Sequence, residues 1–263
     1  MKLKTKLKIL AATLMLASTS TWAAFISSTV STTLGGDKLS AFGTFVTSAG
    51  EVVINLTNTL SAADFISAGQ EISDIKLTFS SAPGTFGASS SASGQFGNVS
   101  GTTPGTVTNV SSDDRGPQPP PCVGVSYGTP ERWLGGGTPP CGNGTFSIVG
   151  NVVTLETLGG GQPSEMIAPV PNGSGQYPNS NSSVTNFNSH VIGTLTIDLF
   201  LSNVTAGTTI TQVEWSFGTG PDHIVTDTNP VIIPEGAPEP GSLALLGLGG
   251  LLMAFAIRRR RVR

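Results

Sequence analysis

The chain has 263 residues, of which 11% are charged, with 13 Lys and Arg against 16 Asp and Glu for a net charge of −3. The basic residues are unevenly placed: between Ala24 and Ala237 only Lys38, Lys76, Arg115 and Arg132 stand against fifteen acidic residues, a net charge of −11. A segment of that sign repels phosphate backbones, which argues against nucleic acid as its partner.

The N-terminus reads as a targeting segment. Lys2, Lys4, Lys6 and Lys8 precede the nine-residue apolar run ILAATLMLA, and small residues lead into TWAA. A positive start, a short apolar stretch and a small-x-small end form the secretory signal pattern. Cleavage between Ala23 and Ala24 is expected, giving a signal peptide over residues 1–23. The exported part, residues 24–237, is about 214 residues and holds 54 Leu, Ile, Val and Phe, sufficient for a core. Val and Ile together outnumber Leu by 32 to 11. Side chains branched at Cβ lose conformational freedom in a helix and pack well on a pleated surface, so the ratio predicts sheet.

Alternating patterns follow in chain order. FGTFVTSAGEVVINLT (42–57) predicts two strands about a turn near Ser48–Gly50. SAADFISAGQEI has room for a turn or two of helix. In ISDIKLTFS, Ile75, Leu77 and Phe79 share one face and Lys76 and Thr78 the other. Ser80 to Thr106, nearly all Ser, Gly, Thr and Ala, reads as a long loop, as does Leu158 to Ser183. TFSIVGNVVTLETL predicts a hairpin across Gly150–Asn151, where a tight turn needs positive φ. Leu195, Ile197, Leu199 and Leu201 mark one further strand face, and Val213, Trp215 and Phe217 another. The expected fold is all-β, an antiparallel β-sandwich or jelly roll over residues 24–229, followed by a proline-rich stalk over 230–237.

Cys122 and Cys141 are the only cysteines. In an exported chain a lone pair is expected to form one disulfide, contributing about 3 kcal/mol through loop closure.

Catalytic signatures are sparse. The chain has no G-x-S-x-G elbow, no H-E-x-x-H and no phosphate or dinucleotide loop. His190 reads as a residue at the head of a strand. His223, with Asp222 or Asp227, could complete a serine triad only through a match that abundant serine makes uninformative. Paired carboxylates could run glycoside hydrolysis if they faced one another. Trp215 reads as core, whereas Trp133, between the cysteines, is the better candidate for an exposed sugar contact. Calcium is the ligand best suited to the loop carboxylates Asp113, Asp114, Asp222 and Asp227, although no EF-hand or RTX spacing surrounds them. No cofactor and no catalytic residue is expected.

The tail reads APEPGSLALLGLGGLLMAFAIRRRRVR, residues 237–263. Ser242 to Ile257 would make roughly 24 Å of helix at 1.5 Å per residue, short against a hydrocarbon core of about 30 Å. Arg258, Arg259, Arg260 and Arg261 would stop translocation and hold the C-terminus inside. Pro238-Glu239-Pro240, a short apolar helix and a terminal arginine cluster together resemble the PEP-CTERM sorting signal of Gram-negative bacteria, here over residues 238–263. The resemblance implies recognition and processing by a membrane-embedded exosortase, with a membrane-anchored precursor sent to the cell surface or matrix. It also implies association with exopolysaccharide or biofilm. It implies address, not activity. The leading expectation is a non-enzymatic exported surface or matrix protein that meets extracellular polysaccharide. A secreted hydrolase and a calcium-stabilised adhesion module are the alternatives.

Overall fold

A computed structural model describes residues 23–87, 89–110, 133, 145–158, 165–220 and 223–233. The chain divides into two units, Met1–Ile233 and Pro234–Arg263, and the described residues all belong to the first.

The described residues are mostly strand. In chain order these are β1 (Ala24–Leu34), β2 (Asp37–Ser48), β3 (Glu51–Asn58), β4 (Ile72–Phe79), β5 (Ser91–Ser100), β6 (Gly105–Val110) and β7 (Thr145–Val149). They continue as β8 (Val152–Glu156), β9 (Ile167–Ala168), β10 (Gln176–Tyr177), β11 (His190–Phe200), β12 (Ile210–Phe217), β13 (His223–Asp227) and β14 (Val231–Ile233). Among the described residues, helix is limited to a 3₁₀ turn at Ala68–Gln70, 3₁₀ conformation at Trp133 and a single α turn, α1 (Ser182–Asn186).

All fourteen strands join one sheet, whose main path runs β13-β12-β4-β9-β11-β3-β2-β1-β14. Every pairing is antiparallel except that of β9 with β11. The β7–β8 hairpin branches off β4, and β5–β6–β10 branches off β11. The hairpin turn behaves as its residues predict: Gly150 takes φ +64°, a region that costs glycine little.

The alternating faces become the core. Ile75, Leu77 and Phe79 of β4, Leu195, Ile197 and Leu199 of β11, and Val213, Trp215 and Phe217 of β12 are all fully buried. They pack with Ile26, Phe45, Ile54 and Leu56 in one apolar cluster. Burying side chains of this size contributes about 1.5–3 kcal/mol each relative to exposure. Strands distant in the strand order touch through Trp215. A Cβ at Gly43 of β2 would stand 2.8 Å from Cη2 of Trp215 on β12, so only glycine admits the indole there. The Trp215 Nε1–H donates to Ser28 Oγ on β1 at 3.1 Å, and Ser28 Oγ donates to Asp227 Oδ2 on β13 at 2.7 Å.

Three expectations change. The Ser80–Thr106 stretch is not a loop throughout, since β5 and the start of β6 lie in it. Its glycines mark tight packing. Added Cβ atoms would stand 2.9 Å from Val191 Cγ1 at Gly94, and 2.9 Å from both Ile192 Cγ1 and Val107 Cγ1 at Gly97. The described part of Leu158–Ser183 likewise holds β9, β10 and the start of α1. Finally, Val231–Ile233, read as stalk, pairs with Ser27–Phe25 as β14.

Candidate functional site

The two expected processing regions border, in sequence, two strands that pair with each other. β1 begins at Ala24, the residue that cleavage after Ala23 would leave first, and Phe25 pairs with Ile233 at the end of β14. Pro238, Glu239, Pro240 and Arg258 to Arg261 lie outside the described residues, as do Cys122 and Cys141 with their expected disulfide. Asp113, Asp114 and Asp222 also lie outside them. Asp227 does not: its carboxylate accepts from Ser28 Oγ and from the Asn229 backbone N–H. His223 opens β13, whose last residue is Asp227. It lies four residues from Asp227, about 13 Å along an extended strand, too far for the two to form a triad hydrogen bond.

Trp133 corrects an expectation. It is fully buried in the main apolar cluster, and its Nε1–H donates to the Glu165 carbonyl at 2.9 Å. An indole so enclosed presents no face to a sugar. The exposed setting suggested by its polar neighbours in sequence was overridden by a long-range packing contact.

Sequence reasoning passed over two groupings of buried acids among the described residues. The first joins Glu71, just after the 3₁₀ turn, to His190 at the head of β11; both side chains are 0% exposed. His190 Nδ1 lies 3.0 Å from Glu71 Oε2, and Nε2 lies 3.0 Å from the Val184 carbonyl of α1. A carbonyl only accepts, so Nε2 carries a hydrogen, and the contact with Glu71 then requires a second proton on Nδ1 or on the carboxyl. The pair is net neutral in either form. Burial pulls the imidazole down, but the Glu71 charge, its hydrogen bond and the Val184 carbonyl outweigh it and hold His190 above the usual histidine range. Burial pushes Glu71 up, opposed by His190. Tyr177 stands nearby, donating to the Pro169 carbonyl at 2.5 Å, and its phenol is raised by burial and then by Glu71.

The second grouping lies across β8, β4 and β12. Register places Asp74 directly opposite Glu156 on one side and Ser216 on the other, with Lys76 opposite Glu214. Asp74 is 7% exposed. Its Oδ2 accepts from Ser216 Oγ at 3.2 Å, while Oδ1 has no hydrogen-bond partner. Burial first, and then the Glu156 charge, push Asp74 up to about 7, against the opposing pull of Lys76 and Ser216. Lys76 Nζ meets Glu214 Oε1 at 2.6 Å. Among the described residues, no three His, Cys, Asp or Glu side chains converge as a metal site.

Comparison with known proteins gives a definite result only for the tail. The PEP-CTERM protein-sorting motif matches residues 237–261, so the chain is one that carries this sorting signal. The motif implies export, cell-surface sorting and processing by an exosortase-type enzyme. No curated protein and no solved structure matches the chain. Among the described residues no helix is long and apolar enough to cross a membrane.

Proposed function

We propose that this chain is an exported, non-enzymatic surface or matrix protein of a Gram-negative bacterium, associated with extracellular polysaccharide and delivered through a membrane-anchored precursor. The sorting motif at residues 237–261 carries the reading. In this reading the signal peptide starts export, Ser242–Ile257 hold the precursor in the membrane, and Arg258–Arg261 keep its end inside. Pro238-Glu239-Pro240 is then presented to the processing enzyme. We further infer that the sheet doubles over as a sandwich, supported by Trp215 reaching Gly43 and Ser28 from the far part of the strand order. The dominance of interior contacts among the polar groups supports a structural role for them.

Mass spectrometry of the mature protein from exosortase-competent cells tests the sorting step. The expected product ends before the arginine cluster, and alanine at Pro238, Glu239 and Pro240 leaves the precursor intact. A mature C-terminus at Arg263 overturns the processing step. Sedimentation of the mature protein with its own cells' extracellular polysaccharide tests the association. A hydrolytic activity lost in Glu156→Gln would overturn the non-enzymatic assignment.

A further inference from the structure

We propose that the sheet edge formed by β14 and the start of β1 rests on a lipid surface while the chain is still tethered. This interaction goes beyond sorting, but it rests on the reading that Ser242–Ile257 enter a bilayer. Val231, Ile232 and Ile233 are 60%, 52% and 44% exposed, the only three consecutive large apolar residues among the exposed ones described. The others, Phe42, Ile66, Phe86, Val149, Val170 and Ile224, are scattered singly. Scattered apolar residues are ordinary on a protein surface, whereas a contiguous apolar edge is a contact waiting for a cover.

Register extends the patch. Ile233 lies opposite Phe25, which lies opposite Val46, so these three form one row on the outer face. Phe25 and Val46 are both partly exposed. The patch includes no charged side chain. Among the described strands β14 pairs only with β1, leaving its other side without a strand.

A second protein strand is a poor cover. Pro230 and Pro234 bound the three residues of β14, and proline lacks the N–H that a growing ladder requires. Side chains, not backbone, are what this edge offers. The chain length argues for lipid: only Pro234 to Ala237 separate Ile233 from Pro238, and the apolar run begins at Ser242. Nine extended steps of at most about 3.6 Å keep Ile233 within about 32 Å of Ser242, where that run starts. The net charge of −11 between Ala24 and Ala237 leaves apolar insertion, not attraction to anionic headgroups, as the driving force.

The test uses the full chain reconstituted into phosphatidylcholine vesicles, with and without bromine-labelled acyl chains. Ile233→Trp supplies a reporter on that outer face, read as the difference in fluorescence from the unsubstituted chain; Ile66→Trp serves as a control near the Lys38–Asp64 ion pair, at the opposite end of β2. The expected result is blue-shifted, bromolipid-quenched emission at position 233 and unquenched, water-like emission at 66. If Ile233→Trp does not fold, Val231→Trp, two residues away on the same face, gives the same readout. Vesicle-associated protein with water-like emission at both edge positions overturns the edge contact while leaving membrane entry by the tail intact, and it directs the search for a cover to the processing enzyme. Failure of the full chain to float with vesicles overturns the tail reading and the edge contact together.

Discussion

Glu71 and Asp74 stand three residues apart, one just before β4 and one within it, and both are buried at almost no exposure. Glu71 faces an imidazole that forms a net-neutral pair with it. Asp74 faces Glu156, another acid, across a strand pair, with Lys76 and Ser216 giving partial relief. Burial raises the affinity for a proton at both positions. Each leaves one carboxyl oxygen, Glu71 Oε1 and Asp74 Oδ1, without a hydrogen bond. Partners brought in by other strands decide what each burial does: one ties the segment before β4 to β11 through an imidazole, the other sets two acids opposite one another in register.

The largest effect is expected from His190→Ala, which strands Glu71 in an apolar interior. Destabilisation of about 3–5 kcal/mol is expected in urea unfolding, because removal of one member of a buried pair leaves the other uncompensated. Asp74→Asn acts in the opposite direction and depends on pH. Because the folded-state value of Asp74, about 7, lies above its ordinary 3.8, its contribution is fully present below the ordinary value and lost as pH rises through 7. Over that window stability falls by on the order of 1.4 kcal/mol per pH unit. Asn should flatten the slope and make the protein more stable than the parent at pH 8. Titrating stability from pH 5 to pH 8 in both proteins checks this; parallel curves would refute the assignment. The His190 pair has the same sign but a higher window. Its folded-state value is raised above 6.5, so its contribution is held below 6.5 and lost only at higher pH.

Glu156→Gln tests the acid that faces Asp74. It removes the like charge opposite Asp74, so the pH midpoint should move down and alkaline stability rise by roughly 0.2–1 kcal/mol. Lys76→Met has a similarly small effect. Its ion pair with Glu214 is partly exposed, with side chains 40% and 22% accessible, so its loss should cost about 0.2–1 kcal/mol. The informative readout is an upward shift in the Asp74 midpoint, since Lys76 is one of the groups opposing its rise.

Legibility followed the range of the interaction. The inward faces of β4, β11 and β12 could be read because period-two alternation is local and survives any rearrangement of neighbouring strands. The β7–β8 turn could be read because its glycine supplies a backbone angle that other residues resist. β5 could not be: its glycines looked like loop composition until Val191, Ile192 and Val107 were found against them. Trp133 offered a polar neighbourhood in sequence and an apolar one in space. The isolated His190 gave no sign of its partner, because Glu71 lies 119 residues away.

By itself, then, the sequence determined the β-rich class, several core faces and the sorting address at residues 237–261, all of which depend on the order of residues within one short segment. Only the tertiary structure decided that Glu71 meets His190, that Asp74 opposes Glu156, and that β14 lies beside the first strand of the exported chain. Those pairings depend on strand order and register between distant segments. A shift of one residue in a ladder turns a side chain to the opposite face, and no local pattern encodes which partner it will then meet.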